Sequence, residues 1–429
     1  MRRDDHAEAL VSRLDEGGYL FPDYGGYCIP GLLGSVLSVH DARPEGVPVL
    51  PEDVFSSVDL DEIEHVVFVL VDGLGYDSWC RFEESTNFDS NLLGAFSNRG
   101  TVTPLTSVFP SETAAALPTI LTGQYPIEHG MLGWWAYLDG VGRIQTLPYQ
   151  TEGDEDVRDV FPDAPHPWET LYDADPLGPR VDPPLDTAFY TPAGTDSDYP
   201  HTFGMVAQTY HSYETIPQLG VNLRREVEAG RDQVYAYVPE VDAASHREGP
   251  QGAETTAQLA AILDSLERQL CDRLDPAIAE RTLLILSADH GHIDTGGDNI
   301  DISGFDPLFD ALETVDGDPI PPLGGPRQLQ LHLQDGRTDE VAAALESEFD
   351  CLTITREEYE RRNLFGPGDV SASVERLPDL LCIPRTRAMW DTVGSLEHVG
   401  VHGGLHREEM LVPFAVARAT ALAQRRTSQ

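Results

Sequence analysis

The fold of this chain is decided by the stretch HVVFVLVD at residues 65–72, an unbroken apolar run rich in valine that ends in an aspartate. A continuous apolar run of this length is typical of a strand buried on both faces, as in a parallel sheet. A Gly-rich turn, GLG at 73–75, follows directly. The sequence therefore predicts a central strand that delivers Asp72 to the carboxyl edge of the sheet, where ligands collect in such folds.

Similar apolar runs recur along the chain and alternate with helical patterns. The other strand candidates are QVYAYV at 233–238, TLLILSA at 282–288 and, more weakly, QLQLHL at 328–333 and DLLCIP at 379–384. Helical periodicity is found in AAALPTILT at 114–122, ETTAQLAAILDSLERQLCDRL at 254–274 and TDEVAAALESEF at 338–349. This alternation predicts an α/β fold with a central, mostly parallel sheet flanked by helices.

We expect a single catalytic domain over residues 1–429, with 1–60 as an N-terminal extension that packs on it. Two segments, 140–205 and 292–375, begin in sequence rich in Pro, Asp and Gly. No boundary between independent cores flanks them, so they are predicted to be inserted or cap segments over the site rather than linkers.

The charge of the chain is extreme: 73 acidic against 28 basic residues give a formal net charge of -45, and lysine is absent. Such a surface repels itself in dilute buffer, whereas molar salt shortens the Debye length to about 3 Å and screens the repulsion. The composition predicts a halophilic protein, although acids can also serve solubility alone. Without a basic patch, nucleic acid is not expected to bind the surface.

The cysteine content and the apolar runs bear on location. Five cysteines are widely spaced, with no CxxC pair, which fits a reducing compartment. Polar residues follow Arg2 and Arg3 where an export signal needs an apolar stretch, and no run is long enough to span a membrane. We expect a cytoplasmic protein without a membrane partner.

Six short segments each offer a residue that could bind a metal. In chain order they are LVDGLG at 70–75, FPSETAAAL at 109–117, EHG at 128–130, EVDAASH at 240–246, SADHGH at 287–292 and VHGGLH at 401–406. Each segment alone is a weak signal, because Asp-Gly and His-Gly pairs are common in loops. Their combination and order are specific.

Three of these segments supply mixed oxygen and nitrogen donors. Asp289 and His290 follow a strand and can present a carboxylate and an imidazole to one divalent ion, a combination that suits zinc. Asp242 and His246 are four residues apart, which places both side chains on one side of a helical turn. His402 adds an imidazole beside two glycines. We interpret His211, His332 and His406 as bystanders.

Thr113 is the candidate nucleophile. It precedes AAALPTILTG, so its hydroxyl lies at a helix start, where free N–H groups and the helix dipole favour phosphate oxygens. A hydroxyl in this position is more often an N-cap, but Pro110 and Ser111 could take that role and leave Thr113 free. Ser111 is the competing nucleophile.

In this order the segments resemble the alkaline phosphatase superfamily and, within it, the type I phosphodiesterase/nucleotide pyrophosphatase family, over residues 64 to 415. The resemblance implies an alkaline phosphatase-like fold with two divalent metal ions, expected to be zinc, with manganese or magnesium as alternatives. One ion would be bound by Asp242, His246 and His402. The other would be bound by Asp72, Asp289, His290 and the Thr113 oxygen.

Two positions depart from the pattern of the family. Glu112 stands where similar nucleotide pyrophosphatases carry lysine, and Trp134 stands where an asparagine would donate to a phosphoryl oxygen. We assign both to substrate binding. Trp134, Trp135 and Tyr137 could form an aromatic wall for a base or apolar leaving group, or they could be ordinary core residues.

The predicted function is metal-dependent hydrolysis of a small phosphate ester or nucleotide, most simply a diester, through a covalent phosphothreonine. Three carboxylates against two divalent ions leave one positive charge, which favours an ionised threonine and an incoming phosphate. A phosphomonoesterase and a phosphonate-ester hydrolase are alternatives within the enzyme class. A binding protein that has lost its chemistry is the alternative outside it.

Overall fold

The computed structural model describes residues 1–162, 171–173, 177–182, 184–194, 207–371, 374, 377–391 and 396–424. Parts of the segments 140–205 and 292–375 that were predicted as insertions fall at the gaps and lie outside the described residues. Among the described helices, none is long and apolar enough to cross a membrane.

A seven-stranded sheet, here called the main sheet, forms the centre of the molecule. Its strands are β1 (His65–Val71), β2 (Thr101–Thr106), β6 (Thr187–Pro192), β7 (Thr209–Tyr213), β8 (Gln233–Val238), β9 (Thr282–Ser287) and β20 (Leu411–Arg418). The spatial order is β2-β20-β9-β1-β8-β6-β7, and β20 runs antiparallel to both of its neighbours. The remaining pairs are parallel, as the apolar runs predicted.

A second seven-stranded sheet is antiparallel. Its strands are β3 (Trp135–Leu138), β4 (Gly142–Gln145), β5 (Gln150–Thr151), β14 (Leu323–Gly325), β15 (Gln328–Leu331), β16 (Cys351–Thr355) and β17 (Leu380–Pro384), in the order β16-β17-β15-β14-β3-β4-β5. The weaker runs at 328–333 and 379–384 therefore belong to this second sheet and not to the main one. Short apolar runs do not by themselves distinguish the two settings.

Three two-stranded ladders connect to these sheets. They are β10 (Ile293–Asp294) with β19 (Gly400–Val401), β11 (Ile300–Asp301) with β18 (Met389–Trp390), and β12 (Thr314–Val315) with β13 (Asp318–Pro319). The segment 140–205, predicted as an insertion, supplies β4 and β5 to the second sheet but also β6 to the main sheet.

The helices surround the main sheet and border the second one. They are α1 (Asp4–Leu14), α2 (Leu32–Ser38), α3 (Tyr76–Glu84), α4 (Leu92–Arg99), α5 (Thr113–Thr122), α6 (Pro126–His129), α7 (Val157–Val160), α8 (Ile216–Glu228), α9 (Glu240–Glu248), α10 (Ala253–Ser265), α11 (Pro276–Glu280), α12 (Asp306–Phe309), α13 (Thr338–Glu348), α14 (Arg356–Arg362), α15 (Arg407–Met410) and α16 (Ala419–Leu422).

One hydrophobic core covers both faces of the main sheet, and β1 shows why. Its residues from Val66 to Val71 are all buried, so the strand packs on both sides. The predicted extension 1–60 contributes α1 and α2, whose apolar residues belong to the same core. A smaller core lies against the second sheet and includes Leu329, Leu331 and Val341.

Candidate metal centre

The carboxyl ends of the central parallel strands meet at one place and carry the polar residues of the site. Asp72 follows β1, and Asp289 and His290 follow β9, its neighbour in the main sheet. All three side chains are buried, with at most 2% exposed. The alternation of strands and helices thus delivers these residues to one edge, because adjacent parallel strands end on the same side.

Thr113 is the first residue of α5, and its hydroxyl lies within this buried group. Its Oγ1 is 3.1 Å from Nε2 of His290 and 3.4 Å from each carboxylate oxygen of Asp72. Nε2 of His290 is in turn 3.2 Å from Oδ1 of Asp72 and 3.5 Å from Oδ2 of Asp289. Ligands at about 2.0–2.1 Å from a tetrahedral ion are about 3.3 Å from one another, so these distances fit one ion.

The N-cap of the helix that starts at Thr113 differs from the one that was predicted. Glu112 is the N-cap residue and no side chain caps the helix, so neither Pro110 nor Ser111 takes that role. Ser111 is fully buried and its hydroxyl donates to the carbonyl of Gly404 at 2.7 Å. An engaged, buried hydroxyl is a poor nucleophile, so the geometry favours Thr113 over Ser111.

The second group of ligands lies beside the first and is more exposed. Asp242 and His246 lie one turn apart on α9, and His402 follows β19. Oδ1 of Asp242 is 3.4 Å from Nε2 of His246 and 3.5 Å from Nε2 of His402. The two Nε2 atoms are 3.2 Å apart. These edges fit one tetrahedrally bound ion as well.

Backbone carbonyls orient two of the imidazoles. Nδ1 of His246 lies 2.8 Å from the carbonyl of Gly400, and Nδ1 of His290 lies 3.1 Å from that of Gly291. A carbonyl only accepts, so Nδ1 carries the proton and Nε2 presents its lone pair to the cluster. Histidines that bind metals are typically anchored in this way.

The electrostatics of the site call for cations. Burial and the Asp72 carboxylate raise the pKa of Asp289 to about 8. Burial opposes the charged form of His290, but the carboxylates of Asp289 and Asp72 prevail and raise its pKa to about 10. Three clustered carboxylates, those of Asp72, Asp242 and Asp289, are costly to bury unless cations balance them.

Two groups of candidate ligands thus emerge from geometry alone. One includes Asp72, Asp289 and His290, and the other includes Asp242, His290, His292 and His402. The seven predicted ligand residues therefore lie together, and both groups fit divalent ions by distance and donor type.

A cavity of about 390 Å³ opens in front of Thr113. Its described lining includes the possible ligands Asp242, His246 and His402 together with Glu112, Trp134, Trp135, Trp390 and His398. Tyr137, predicted to belong to the same aromatic wall, lines a different cavity. Trp135 and Tyr137 are two residues apart on β3 and therefore lie on the same face of the strand, and Trp135 lines both cavities.

Glu112 is buried beside Thr113, with its side chain against two glycines. A Cβ on Gly325 would come within 2.6 Å of its Oε2, and one on Gly403 within 3.1 Å. Burial raises the pKa of Glu112 to about 8. The carboxyl group therefore occupies the position of the expected lysine without bringing a cation to the cavity.

The sequence predictions omitted two histidines of the site and included one segment whose histidine lies outside the metal cluster. His292 is fully buried in the cluster, and the second histidine of SADHGH was its signal. His398, four residues before His402, lines the cavity. His129 of the EHG segment is instead buried against Thr119, whose hydroxyl lies 2.9 Å from its Nε2, and is not a member of the metal cluster.

A third group of possible ligands lies elsewhere. Glu313, His332 and Asp379 line another cavity at the second sheet. Nη2 of Arg356 lies 3.1 Å from Oδ1 of Asp379, so this group already includes a cation. It is not connected with Thr113.

Comparison with known proteins places the chain in a family. The sequence profile described as Type I phosphodiesterase / nucleotide pyrophosphatase matches residues 66–405. The chain belongs to this family, and through it to the alkaline phosphatase superfamily. It is therefore a member of a family of metal-dependent phosphoester hydrolases.

Solved structures agree with this family in fold. Murine ectonucleotide pyrophosphatase/phosphodiesterase 5, inactive and in complex with AMP, matches with a TM-score of 0.53 at 15% identity, over 82% of this chain and 87% of that one. Phosphonoacetate hydrolase from Sinorhizobium meliloti 1021, in complex with phosphonoformate, matches with a TM-score of 0.57 at 18% identity, over 82% and 89%. The fold is alkaline phosphatase-like.

One curated protein also matches in sequence. A protein named NAD kinase from Pyrococcus abyssi (strain GE5 / Orsay) is 28% identical over 202 residues, which make up 43% of this chain and 71% of that protein. The matched part is under half of the chain, so the family profile, which covers far more of it, decides the assignment.

Proposed function

We propose that this protein is a metal-dependent phosphodiesterase that acts on small phosphate diesters or nucleotides, with Thr113 as the nucleophile. The observation that carries the proposal is the position of the Thr113 hydroxyl. It lies within 3.1–3.4 Å of His290 and Asp72, at the start of a helix and at the floor of a cavity.

The residues of the site have distinct parts in this reaction. The Thr113 oxygen attacks phosphorus, the ester oxygen leaves, and water later hydrolyses the phosphothreonine to regenerate the hydroxyl. Two bound divalent ions, with zinc as the proposed metal, would balance the three carboxylates, favour the ionised hydroxyl and stabilise charge on the phosphoryl oxygens. Asp242, His246 and His402 would bind one ion, and Asp72, Asp289 and His290 the other.

The start of α5 supplies hydrogen-bond donors that the expected asparagine would have provided. No side chain caps this helix, which leaves the N–H groups of Thr113 and Ala114 available to a phosphoryl oxygen. Trp134, at the position of the asparagine, cannot donate in the same way and lines the cavity with its ring. Backbone amides therefore replace the side-chain amide in this proposal.

The charge of the cavity favours diesters over monoesters. No Arg residue is found among the described residues that line it, and Glu112 adds a carboxyl group. A monoester dianion, or a phosphonate with a second acidic group, would bring an extra negative charge that no side chain balances. A diester carries one charge and a second organic group that the tryptophans can contact.

Substitution of Thr113 tests the proposal. Activity on bis(4-nitrophenyl) phosphate, measured in molar salt with zinc, should fall at least about 10³-fold in Thr113→Ala and recover in part in Thr113→Ser. Ser111→Ala is the matched control, because it removes the neighbouring hydroxyl, and should stay active. Retained activity in Thr113→Ala, or loss in Ser111→Ala alone, would assign the reaction to Ser111.

The same assay separates the alternative functions. Wild-type protein should hydrolyse 4-nitrophenyl phosphate, the monoester of the same leaving group, far more slowly than the diester. A faster monoester reaction would make the protein a phosphomonoesterase. Bound zinc without turnover of either ester would make it a binding protein.

A further inference from the structure

His292 lies inside the metal cluster although the ligand set implied by the family does not use it. The side chain is fully buried, and its Nε2 is 3.0 Å from Oδ1 of Asp242. Neither atom makes a hydrogen bond of acceptable geometry. Two polar atoms that are buried, close and without hydrogen bonds indicate that something else satisfies both of them.

The other ring nitrogen of His292 is anchored to the backbone. Nδ1 lies 3.1 Å from the carbonyl of Gly73. Because the carbonyl can only accept, Nδ1 carries the proton, and the lone pair of Nε2 faces the Asp242 carboxylate. The contact between Nε2 and the Asp242 oxygen lacks hydrogen-bond geometry, and a cation bound by both atoms would satisfy them. His246 and His290 are anchored through Nδ1 to glycine carbonyls in the same way.

The positions of the rings match a tetrahedral site. The Nε2 atoms of His292, His246 and His402 lie 3.0, 3.4 and 3.5 Å from the same Asp242 oxygen. The three ring centroids are 5.0–5.3 Å apart. Around a zinc ion with ligand distances of about 2.0–2.1 Å, donor atoms lie about 3.3 Å apart and ring centroids about 5 Å apart. The three imidazoles thus lie around the same Asp242 oxygen at distances that suit ligands of one ion.

Two glycines make room for the ring. A Cβ on Gly73, which has a φ of +75°, would lie 2.4 Å from Cε1 of His292, and a Cβ on Gly400 would lie 3.4 Å from Cδ2. Gly73 follows Asp72, and Gly400 accepts the hydrogen bond of His246. His292 is therefore held between the backbone segments that position both groups of ligands.

We propose that His292 is a fourth protein ligand of the ion bound by Asp242, His246 and His402, an inference that rests on the proposed two-metal function. The resulting donor set has three imidazole nitrogens and one carboxylate oxygen. Such a set favours zinc over magnesium and manganese. It also completes a four-coordinate site from protein ligands, which leaves the phosphate-binding position to the ion beside Thr113.

Cobalt(II) substitution tests the proposal without an activity measurement. Each imidazole that binds cobalt through Nε2 keeps a proton on Nδ1, and the paramagnetic ion shifts its NMR signal far from the others. Full-length protein with two cobalt ions should show four such exchangeable signals, from His246, His290, His292 and His402. Three signals would overturn the proposal and leave His292 as a neighbour of Asp242 only.

Substitutions assign the fourth signal. His292→Gln should lose one signal and lower the zinc affinity of one of two sites by at least about 100-fold, as expected when a ligand is removed. His398→Gln is the matched control, because the ring of His398 is centred 5.0 Å from that of His246 but His398 belongs to no group of possible ligands among the described residues, and it should keep all four signals. Four signals in His292→Gln would overturn the proposal.

The outcomes separate this proposal from the function on which it rests. Protein that binds no cobalt would contradict the two-metal function itself. Protein that binds two cobalt ions with three shifted signals would contradict only the role of His292.

Discussion

The two seven-stranded sheets contribute different chemistry to the same cavity. The main sheet supplies charged groups from the ends of its strands, Asp72 and Asp289, and these lie beside the Thr113 hydroxyl at the start of α5. The second sheet and the residues beside it supply Trp134, Trp135 and other uncharged groups. If the proposed function holds, bond cleavage and substrate preference depend on different parts of the structure and can be changed separately.

Removal of metal should have the largest effect, and it changes only the main-sheet side of the cavity. A chelator should abolish turnover of every ester, since three clustered carboxylates remain without counter-ions. Ions present at about 1,000 times their dissociation constant stabilise the fold by about 4 kcal/mol each, so the melting temperature should also fall. Calorimetry with and without chelator, at constant molar salt, measures this. An unchanged melting temperature would argue against bound ions.

Lower salt should have the next largest effect, and it acts on the surface instead of the site. With a net charge of -45, dilution to about 0.1 M salt lengthens the Debye length to about 10 Å and should lower the melting temperature by about 10 °C or more. Thermal unfolding in a salt series at fixed zinc checks this. Equal stability in dilute and molar salt would contradict a halophilic protein.

A substitution on the second-sheet side should alter preference without stopping the reaction. Trp134→Ala should lower kcat/KM about 10-fold for phenyl 4-nitrophenyl phosphate, because stacking is lost, and little for methyl 4-nitrophenyl phosphate. Tyr137→Phe, in the neighbouring cavity, is the control. Equal losses for both diesters would show that the two sides of the cavity do not act separately.

The pH dependence of stability should show an effect that is small within one pH unit and that comes from a histidine outside the metal cluster. Burial lowers the pKa of His129 from 6.5 to about 3. Between these values the unfolded chain binds the proton and the folded chain does not, so the contribution of His129 to stability is lost as pH falls from about 6.5. The slope is at most about 1.4 kcal/mol per pH unit.

The comparison of His129→Gln with the wild-type protein isolates that slope. Denaturant unfolding of both forms between pH 4 and pH 7, in the same salt and zinc, should give a smaller loss of stability for the variant. If the pH profiles of the two forms are parallel, the pKa of His129 does not differ between the folded and the unfolded state as described.

The sequence predicts three of the seven main-sheet strands, β1, β8 and β9, because they are apolar runs buried on both faces, and it does not predict β2, β6, β7 and β20. It also predicts which residues come together at the strand ends, since that follows from parallel pairing. It fails for the second sheet, because the runs 328–333 and 379–384 are as long as the run of β8 but pair antiparallel with segments that the sequence did not predict as strands, such as β14 and β16. Local patterns do not contain that pairing.

The same limit explains the errors at the site. His292 and His129 both stand beside glycine in motifs of similar appearance, yet one is buried in the cluster and the other against Thr119. The difference arises from the tertiary positions of β9 and α6. The sequence left open whether Tyr137 belongs to an aromatic wall, and in the structure it lines the neighbouring cavity together with Trp135.

Anomalous diffraction from zinc-soaked crystals tests the central claim most directly. The account predicts two peaks at the zinc edge: one between Asp72, Thr113, Asp289 and His290, and one between Asp242, His246 and His402. Crystals in molar salt that show no zinc peak next to Thr113, or peaks only at other residues, would contradict it.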